Sequence, residues 1–110
     1  MSYDVYLAID TGGEELTSVG ESFNYTYNCA PMFCKAFKEK EIGLNVLHNK
    51  LAKEAALLLR NAIIYMQDHP KEMNKLNPSN GWGHYDTALE FLEGILTECL
   101  KHPKATVRIC

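Results

Sequence analysis

Hydrophobic and polar residues follow a helical pattern between residues 44 and 66, which is the longest periodic stretch of the chain. Its apolar residues recur at steps of three and four, and this spacing places them on one face of an α-helix. We predict a long central helix that Asn45 caps and Pro70 terminates. Its apolar face consists of Leu47, Leu51, Ala55, Leu58, Ala62 and Tyr65, flanked by Leu59, Ile63 and Met66.

Alternation of apolar and polar residues predicts a β-strand near each end of the chain, over residues 3–9 and 105–110. A further strand is predicted over residues 22–28, after a turn at residues 10–13 and a polar loop or hairpin arm at residues 14–20. Both terminal strands need a partner, so we expect them to pair with each other. The aromatic residues that would share one face of the second strand are Phe23, Tyr25 and Tyr27.

Two more helices are predicted, one on each side of the central helix in the sequence. Pro31 opens a short helix, and Gly43 is expected just past its end in a left-handed conformation. The last helix runs to about Lys101. It begins either at a capping box that starts with Thr87 or about one turn earlier.

The order of these elements predicts a single α+β domain over residues 1–110. We expect a small antiparallel sheet of about three strands, packed by two long helices and one short helix. A chain of 110 residues is long enough to bury one hydrophobic core without disulfides or a metal.

Charge and composition argue against nucleic-acid-binding and membrane-spanning proteins. The net charge is −3 and no block of Lys or Arg occurs, which argues against nucleic-acid binding. No apolar run is long enough for a membrane span. The start of the sequence lacks the pattern of a signal peptide, so we expect a cytoplasmic protein whose four cysteines are reduced.

Three short motifs have the residue types of sites of catalysis or metal binding. The Asp-Thr-Gly string at residues 10–12 resembles the catalytic loop of aspartic proteases, but those enzymes are almost entirely β, unlike this pattern. The pairs Cys29/Cys34 and Cys99/His102 have spacings that could chelate zinc, yet neither forms a compact knuckle. No nucleophile lies at a recognisable spacing from a base. We therefore expect a non-enzymatic protein with no metal site and no cofactor.

The candidate binding residues lie in two strings of uncharged polar and aromatic residues. Asn24, Thr26 and Asn28 share one face of the predicted second strand, and their amide and hydroxyl groups suit recognition of a base or a sugar. The second string precedes the last helix. We expect its backbone N–H groups to favour an anion such as phosphate, and its aromatic rings to stack on a flat ligand. Its candidate residues are Asn80, Gly81, Trp82, Gly83 and Tyr85.

A structural interpretation of the same residues stays open at this point. Asn24 and Asn28 could terminate and cap elements, and Trp82 could fill the core while the neighbouring glycines give it room. The sequence does not say whether the two strings meet in space.

The strings Asn-Tyr-Thr-Tyr-Asn at residues 24–28 and Leu-Asn-Pro-Ser-Asn-Gly-Trp-Gly at residues 76–83 resemble a group of small proteins encoded by bacteriophages and prophages. The resemblance extends over nearly the whole chain, although His84 stands where the group is expected to have an acidic residue. It implies a phage origin and a location in the cytoplasm of the infected or lysogenic host. It implies no established activity.

Two hypotheses follow for such a compact phage protein. The first is a counter-defence protein that sequesters a nucleotide-like immune signal, as a homo-oligomer because a three-stranded sheet leaves exposed edges. The second is an inhibitor or adaptor that binds a host defence protein through Glu14, Glu15 and Glu21. An enzyme acting on a nucleotide or peptide is a weaker third alternative, because no nucleophile–base pair is visible.

Overall fold

The computed structural model describes residues 2–110 and confirms the α+β class. A three-stranded antiparallel sheet packs against the helices through one buried core. No helix within residues 2–110 is both long and apolar enough to cross a membrane. In chain order the elements are β1 (Ser2–Ile9), β2 (Thr17–Thr26), a 3-10 turn (Tyr27–Cys29), α1 (Ala30–Ala36), a 3-10 segment (Gly43–Leu47), α2 (Ala52–Asp68), α3 (Pro70–Asn74), α4 (Tyr85–Lys101) and β3 (Thr106–Ile109).

The strand order is β2-β1-β3, so the first and last strands pair as predicted. The outer edge of β3 is covered by the segment that precedes α2. The Asn49 N–H donates to the Val107 carbonyl at 2.8 Å, and the Val107 N–H donates to the Lys50 carbonyl at 2.9 Å. Within residues 2–110 no strand pairs with the outer edge of β2.

The predicted bounds of the second strand are wrong at both ends. β2 already begins at Thr17, because residues 17–19 pair with the end of β1 on the far side of a bulge opposite Tyr6. It ends at Thr26, whose hydroxyl oxygen accepts the Asn28 N–H at 3.2 Å and caps the 3-10 turn. Tyr27 and Asn28 therefore lie outside the strand.

The central helix begins at Ala52, so the predicted start near residue 44 is wrong and Asn45 is not its cap. A continuous helix from residue 44 is interrupted at Asn49, which has a positive φ of 67°, and at Leu51, whose backbone is extended. The buried face is also rotated towards the residues predicted as its flank, and Leu51 is exposed. The residues that α2 buries are Ala52, Ala55, Ala56, Leu59, Ala62, Ile63 and Met66.

The left-handed residue that ends α1 is Lys38; Gly43 is left-handed as predicted, with a φ of 49°, but it lies at the start of the 3-10 segment and not just past the helix. Lys38 has a φ of 57°, and its N–H donates to the Lys35 carbonyl while the Glu39 N–H donates to the Cys34 carbonyl. This pair of hydrogen bonds is a Schellman motif. Gly43 has a second reason to be glycine, because a Cβ there would lie 3.0 Å from Cys34 Sγ.

The last helix starts before the predicted capping box at Thr87. Its N-cap is His84, whose ring Nδ1 accepts the Asp86 N–H at 3.3 Å. The helix ends at Lys101, as predicted.

Candidate functional site

The two candidate strings meet in space and form an open groove. A hollow of about 550 Å³ lies between the end of β2 and the loop that precedes α4. This volume is within the range of ligand sites in proteins. The residues that line it are Ser2, Asn24, Thr26, Asn28, Asn80 and Trp82.

The close approach of the loop to β2 depends on Gly83. Its φ is 101°, which favours glycine. A Cβ at this position would lie 2.8 Å from Thr26 Cγ2 and 2.8 Å from Cys29 Sγ. Only glycine therefore allows the loop to reach the strand and close one end of the groove.

Tyr25 fixes the same loop to β2. Its hydroxyl accepts the His84 N–H at 3.2 Å and lies 2.7 Å from the Thr87 hydroxyl. Its ring stacks on Phe91 with the centroids 5.0 Å apart. Burial raises the pKa of the Tyr25 hydroxyl, so this anchor stays protonated at neutral pH. The sequence pattern placed Tyr25 on the apolar face of β2 but gave no sign of this anchoring role.

Trp82 stands at the rim of the groove and is 68% exposed. The interpretation of Trp82 as a core residue is therefore wrong. Its backbone is held in place, because its N–H donates to Asn80 Oδ1 at 2.9 Å. A large aromatic ring that is exposed on an anchored loop is available to stack on a ligand.

The opposite wall of the groove is pre-organised by hydrogen bonds. Asn24 Nδ2 donates to Asp4 Oδ1 at 2.7 Å and to Ser2 Oγ at 3.0 Å. Asn28 Nδ2 donates to Thr26 Oγ1 at 2.8 Å. These bonds restrict the side-chain rotamers, which lowers the entropy that a ligand must remove.

Tyr85 does not line the groove. Its ring is buried and its hydroxyl donates to the Met66 carbonyl at 2.9 Å, so it belongs to the core between α2 and α4. The backbone donors expected to hold an anion also have acceptors. The Tyr85 N–H donates to Asn77 Oδ1 at 2.8 Å, the Asp86 N–H to His84, and the Trp82 N–H to Asn80. The Gly81 N–H also donates to the Pro78 carbonyl at 3.5 Å, so these backbone donors are already bonded within the protein and are not left for an anion.

Ser2 and Asp4 are site residues that the sequence analysis missed. Ser2 lines the groove because it pairs with Thr26, and Asp4, which pairs with Asn24, orients the Asn24 amide without lining the groove. The alternation over residues 3–9 placed Asp4 on the face of β1 opposite to Tyr3 and Val5, but only the register places it beside Asn24.

A larger hollow of about 740 Å³ lies beside α1, with apolar walls and Lys35, Lys38 and Lys40 among its lining residues. The Lys35 ammonium is 2.5 Å from Glu72 Oε1, and the Tyr65 hydroxyl donates to the same oxygen at 3.2 Å. Lys35 and Tyr65, which line the hollow, are therefore already paired with Glu72. The groove at Trp82 is consequently the better candidate site, although it is smaller.

The remaining candidate residues lie apart from the groove. Glu14 and Glu15 are exposed in the turn between β1 and β2. Cys29 and Cys99 are buried in the core, and burial raises the pKa of the Cys99 thiol to about 11. Within residues 2–110 no three His, Cys, Asp or Glu side chains are grouped to hold a metal ion.

Comparison with protein-family models, with curated proteins and with solved structures finds no match to this chain.

Proposed function

We propose that this protein is a non-enzymatic binding protein that holds a small nucleotide-like ligand in the groove between β2 and the Trp82 loop. The observation that carries the proposal is the exposed indole of the single tryptophan, anchored opposite a wall of pre-oriented amides. A flat ring could stack on Trp82 while its polar edge contacts Asn24 and Asn28.

The biological part of the proposal comes from the resemblance to phage and prophage proteins. In that setting the protein would sequester a nucleotide-like immune signal of the host. It would act as a homo-oligomer through the open edge of β2, since unpaired strand edges recruit further strands. Asn24 and Thr26 lie on β2, so a second copy at this edge would sit close to the groove.

The test uses Trp82→Ala, with Leu100→Ala as the matched control. Both side chains are exposed, 68% for Trp82 and 63% for Leu100, so neither change should unfold the protein. Loss of stacking on an aromatic side chain weakens binding by about 1–3 kcal/mol, or about 5- to 150-fold. Native mass spectrometry with a panel of nucleosides and nucleotides would measure the affinity, and thermal melting would measure the stability.

We expect Trp82→Ala to lose the ligand while Leu100→Ala keeps it, with both melting temperatures close to that of the unaltered protein. Equal binding by the two variants would remove Trp82 from the site. Native mass spectrometry of the protein purified from phage-infected cells would also report a co-purified ligand and the number of subunits.

The alternative function is inhibition of a host defence protein through acidic side chains. Its support is the exposure of Glu14 and Glu15 at the tip of the β1–β2 hairpin and of Glu21 on β2. Charge reversal of all three should abolish capture of the host protein in a pull-down if this surface binds it. Capture by the reversed variant would eliminate these residues as the contact.

A further inference from the structure

The hydrogen bonds within the groove determine which of its polar atoms remain for a ligand. Asn24 Nδ2 lies near Asp4 Oδ1 and also 3.3 Å from the Tyr3 carbonyl, and both of these atoms only accept. The amide nitrogen of Asn24, and not its oxygen, must therefore face these two acceptors. Within residues 2–110 no hydrogen bond reaches the Oδ1 atom of Asn24 or that of Asn28, whose Nδ2 donates to Thr26 Oγ1. The wall formed by β2 and the 3-10 turn therefore offers two carbonyl acceptors.

The groove also offers donors, one on the loop side and one at the end of β2. Asn80 Oδ1 accepts the Trp82 N–H, and a backbone N–H only donates, so Asn80 Nδ2 is left to donate to a ligand. Thr26 Oγ1 accepts both the Asn28 N–H and Asn28 Nδ2, which leaves its hydroxyl hydrogen free to donate. Acceptors and donors thus face one ligand site, and all of them are uncharged.

The charge around the groove disfavours an anion. Among residues 2–110 no Lys, Arg or His lines it, and the exposed carboxylate of Asp4 lies next to Asn24. A phosphate placed here would lose hydration without gaining a cation and would be repelled by Asp4. At the start of α4 the N–H groups of His84, Tyr85 and Asp86 already have acceptors within the protein.

We propose that the groove binds the uncharged, amino-substituted base of a nucleoside-like ligand and leaves any phosphate in solvent. This inference rests on the proposed function and names the ligand chemistry at the same site. The exocyclic amino group donates to the Oδ1 atoms of Asn24 and Asn28, a ring nitrogen or carbonyl accepts from Asn80 Nδ2, and the ring stacks on Trp82. Adenine, guanine and cytosine carry this combination of groups, whereas hypoxanthine and uracil lack the amino group.

Fluorescence of the single tryptophan tests the proposal directly, because Trp82 reports on its own site. The ligands are two matched pairs, adenosine with inosine and cytidine with uridine, together with adenosine 5′-monophosphate. We expect at least one amino-bearing nucleoside to bind about tenfold more tightly than its partner, the effect of one lost hydrogen bond. We expect the monophosphate to bind no more tightly than adenosine, with no dependence on salt.

The outcomes separate the two proposals. If no nucleoside or nucleotide changes the fluorescence, the proposed function itself fails. If the monophosphate binds more tightly than adenosine and added salt weakens it, or if the amino-lacking partners bind equally well, the function stands and this inference is overturned.

A variant of Asn80 provides a second test within the protein. Asn80→Asp keeps the oxygen that accepts the Trp82 N–H, so the loop should hold its shape, but it replaces the Nδ2 donor with a charged acceptor. We expect the affinity for the preferred nucleoside to fall about tenfold with an unchanged melting temperature. Asn61→Asp makes the same charge change on the exposed surface of α2 and should leave binding unaltered. Equal affinities in the two variants would overturn the assignment of the donor.

Discussion

Gly81 and Gly83 flank the exposed tryptophan and differ in their surroundings. Both adopt a positive φ, 77° at Gly81 and 101° at Gly83. An added Cβ would meet nothing within 4 Å at Gly81, whereas at Gly83 it would meet Thr26, Cys29 and the Tyr25 hydroxyl. The first glycine is needed only for its backbone angle, and the second is needed also for the contact between the loop and β2.

Substituting each glycine with alanine separates these two effects. Gly81→Ala should lower the free energy of unfolding by about 1–2 kcal/mol, the cost of a left-handed residue with a Cβ. Gly83→Ala should lower it by about a further 1–3 kcal/mol, because the methyl group overpacks against Thr26 and Cys29. The Gly83→Ala substitution should also shift the fluorescence of the neighbouring Trp82. Chemical denaturation measures the stabilities, and equal losses in the two variants would show that the contact at Gly83 is not tight.

At the scale of elements, one carboxylate connects α4 to β2. Glu98 is 4% exposed, its Oε1 accepts the Glu21 N–H at 2.9 Å, and its Oε2 lies 3.3 Å from the Lys101 ammonium. Gly20 makes room for it, because a Cβ there would overlap Glu98 Oε1. The hydrogen bond from the Glu21 amide, with Lys101 and His102 nearby, holds the pKa of Glu98 below its usual range.

This connection should make stability depend on pH. A carboxylate with a lowered folded pKa stabilises the protein above its unfolded pKa of ~4.3, and this stabilisation is lost as the pH falls through the folded pKa. Glu98→Gln keeps an acceptor for the Glu21 N–H but cannot titrate. The difference in unfolding free energy between the unaltered protein and Glu98→Gln should therefore be constant above about pH 5 and shrink towards zero in acid.

Denaturation curves from pH 7 to below about pH 4 measure this difference. A difference that stays constant over the whole range would show that the charge of Glu98 contributes nothing. Glu93→Gln on the exposed side of the same helix is the control and should show no such trend.

At the scale of the whole molecule, Phe33 joins the sheet to two helices. It is fully buried, with its ring centroid 5.8 Å from that of Tyr3 on β1, 6.1 Å from Tyr25 on β2 and 5.9 Å from Phe91 on α4. Aromatic pairs at these distances contribute beyond the area they bury. The same cluster supports Tyr25, which anchors the Trp82 loop.

Phe33→Ala should lower the free energy of unfolding by about 3–5 kcal/mol, since it removes a large side chain that the core cannot refill. This loss is a large part of the ~5–15 kcal/mol that stabilises a typical domain. Leu100→Ala, on the exposed surface, should change it by less than about 0.5 kcal/mol. Similar losses in both variants would contradict the central role of this cluster.

The strands and helices follow from local pattern, but several of their ends do not. Alternation of apolar and polar residues predicted β1 and β3. Helical spacing predicted α4, and Pro103, which cannot continue a helix, marked its end. The pattern failed at residues 44–51, where apolar residues at helical spacing belong to a 3-10 segment and to an extended stretch that pairs with β3. The spacing of apolar residues cannot reveal the hydrogen bonds between this stretch and β3, because the bonded residues lie more than fifty positions apart in the chain.

The sequence by itself determined the α+β class, the residue types of the two polar strings and the lack of a continuous block of Lys or Arg, since each depends only on composition or local spacing. The tertiary structure alone decided that Asn24, Thr26 and Asn28 face Asn80 and Trp82 across a groove. It also decided that Trp82 is exposed while Tyr85 is buried. The reason is that both depend on the β1–β2 register and on the close approach at Gly83, which are contacts between residues distant in the chain.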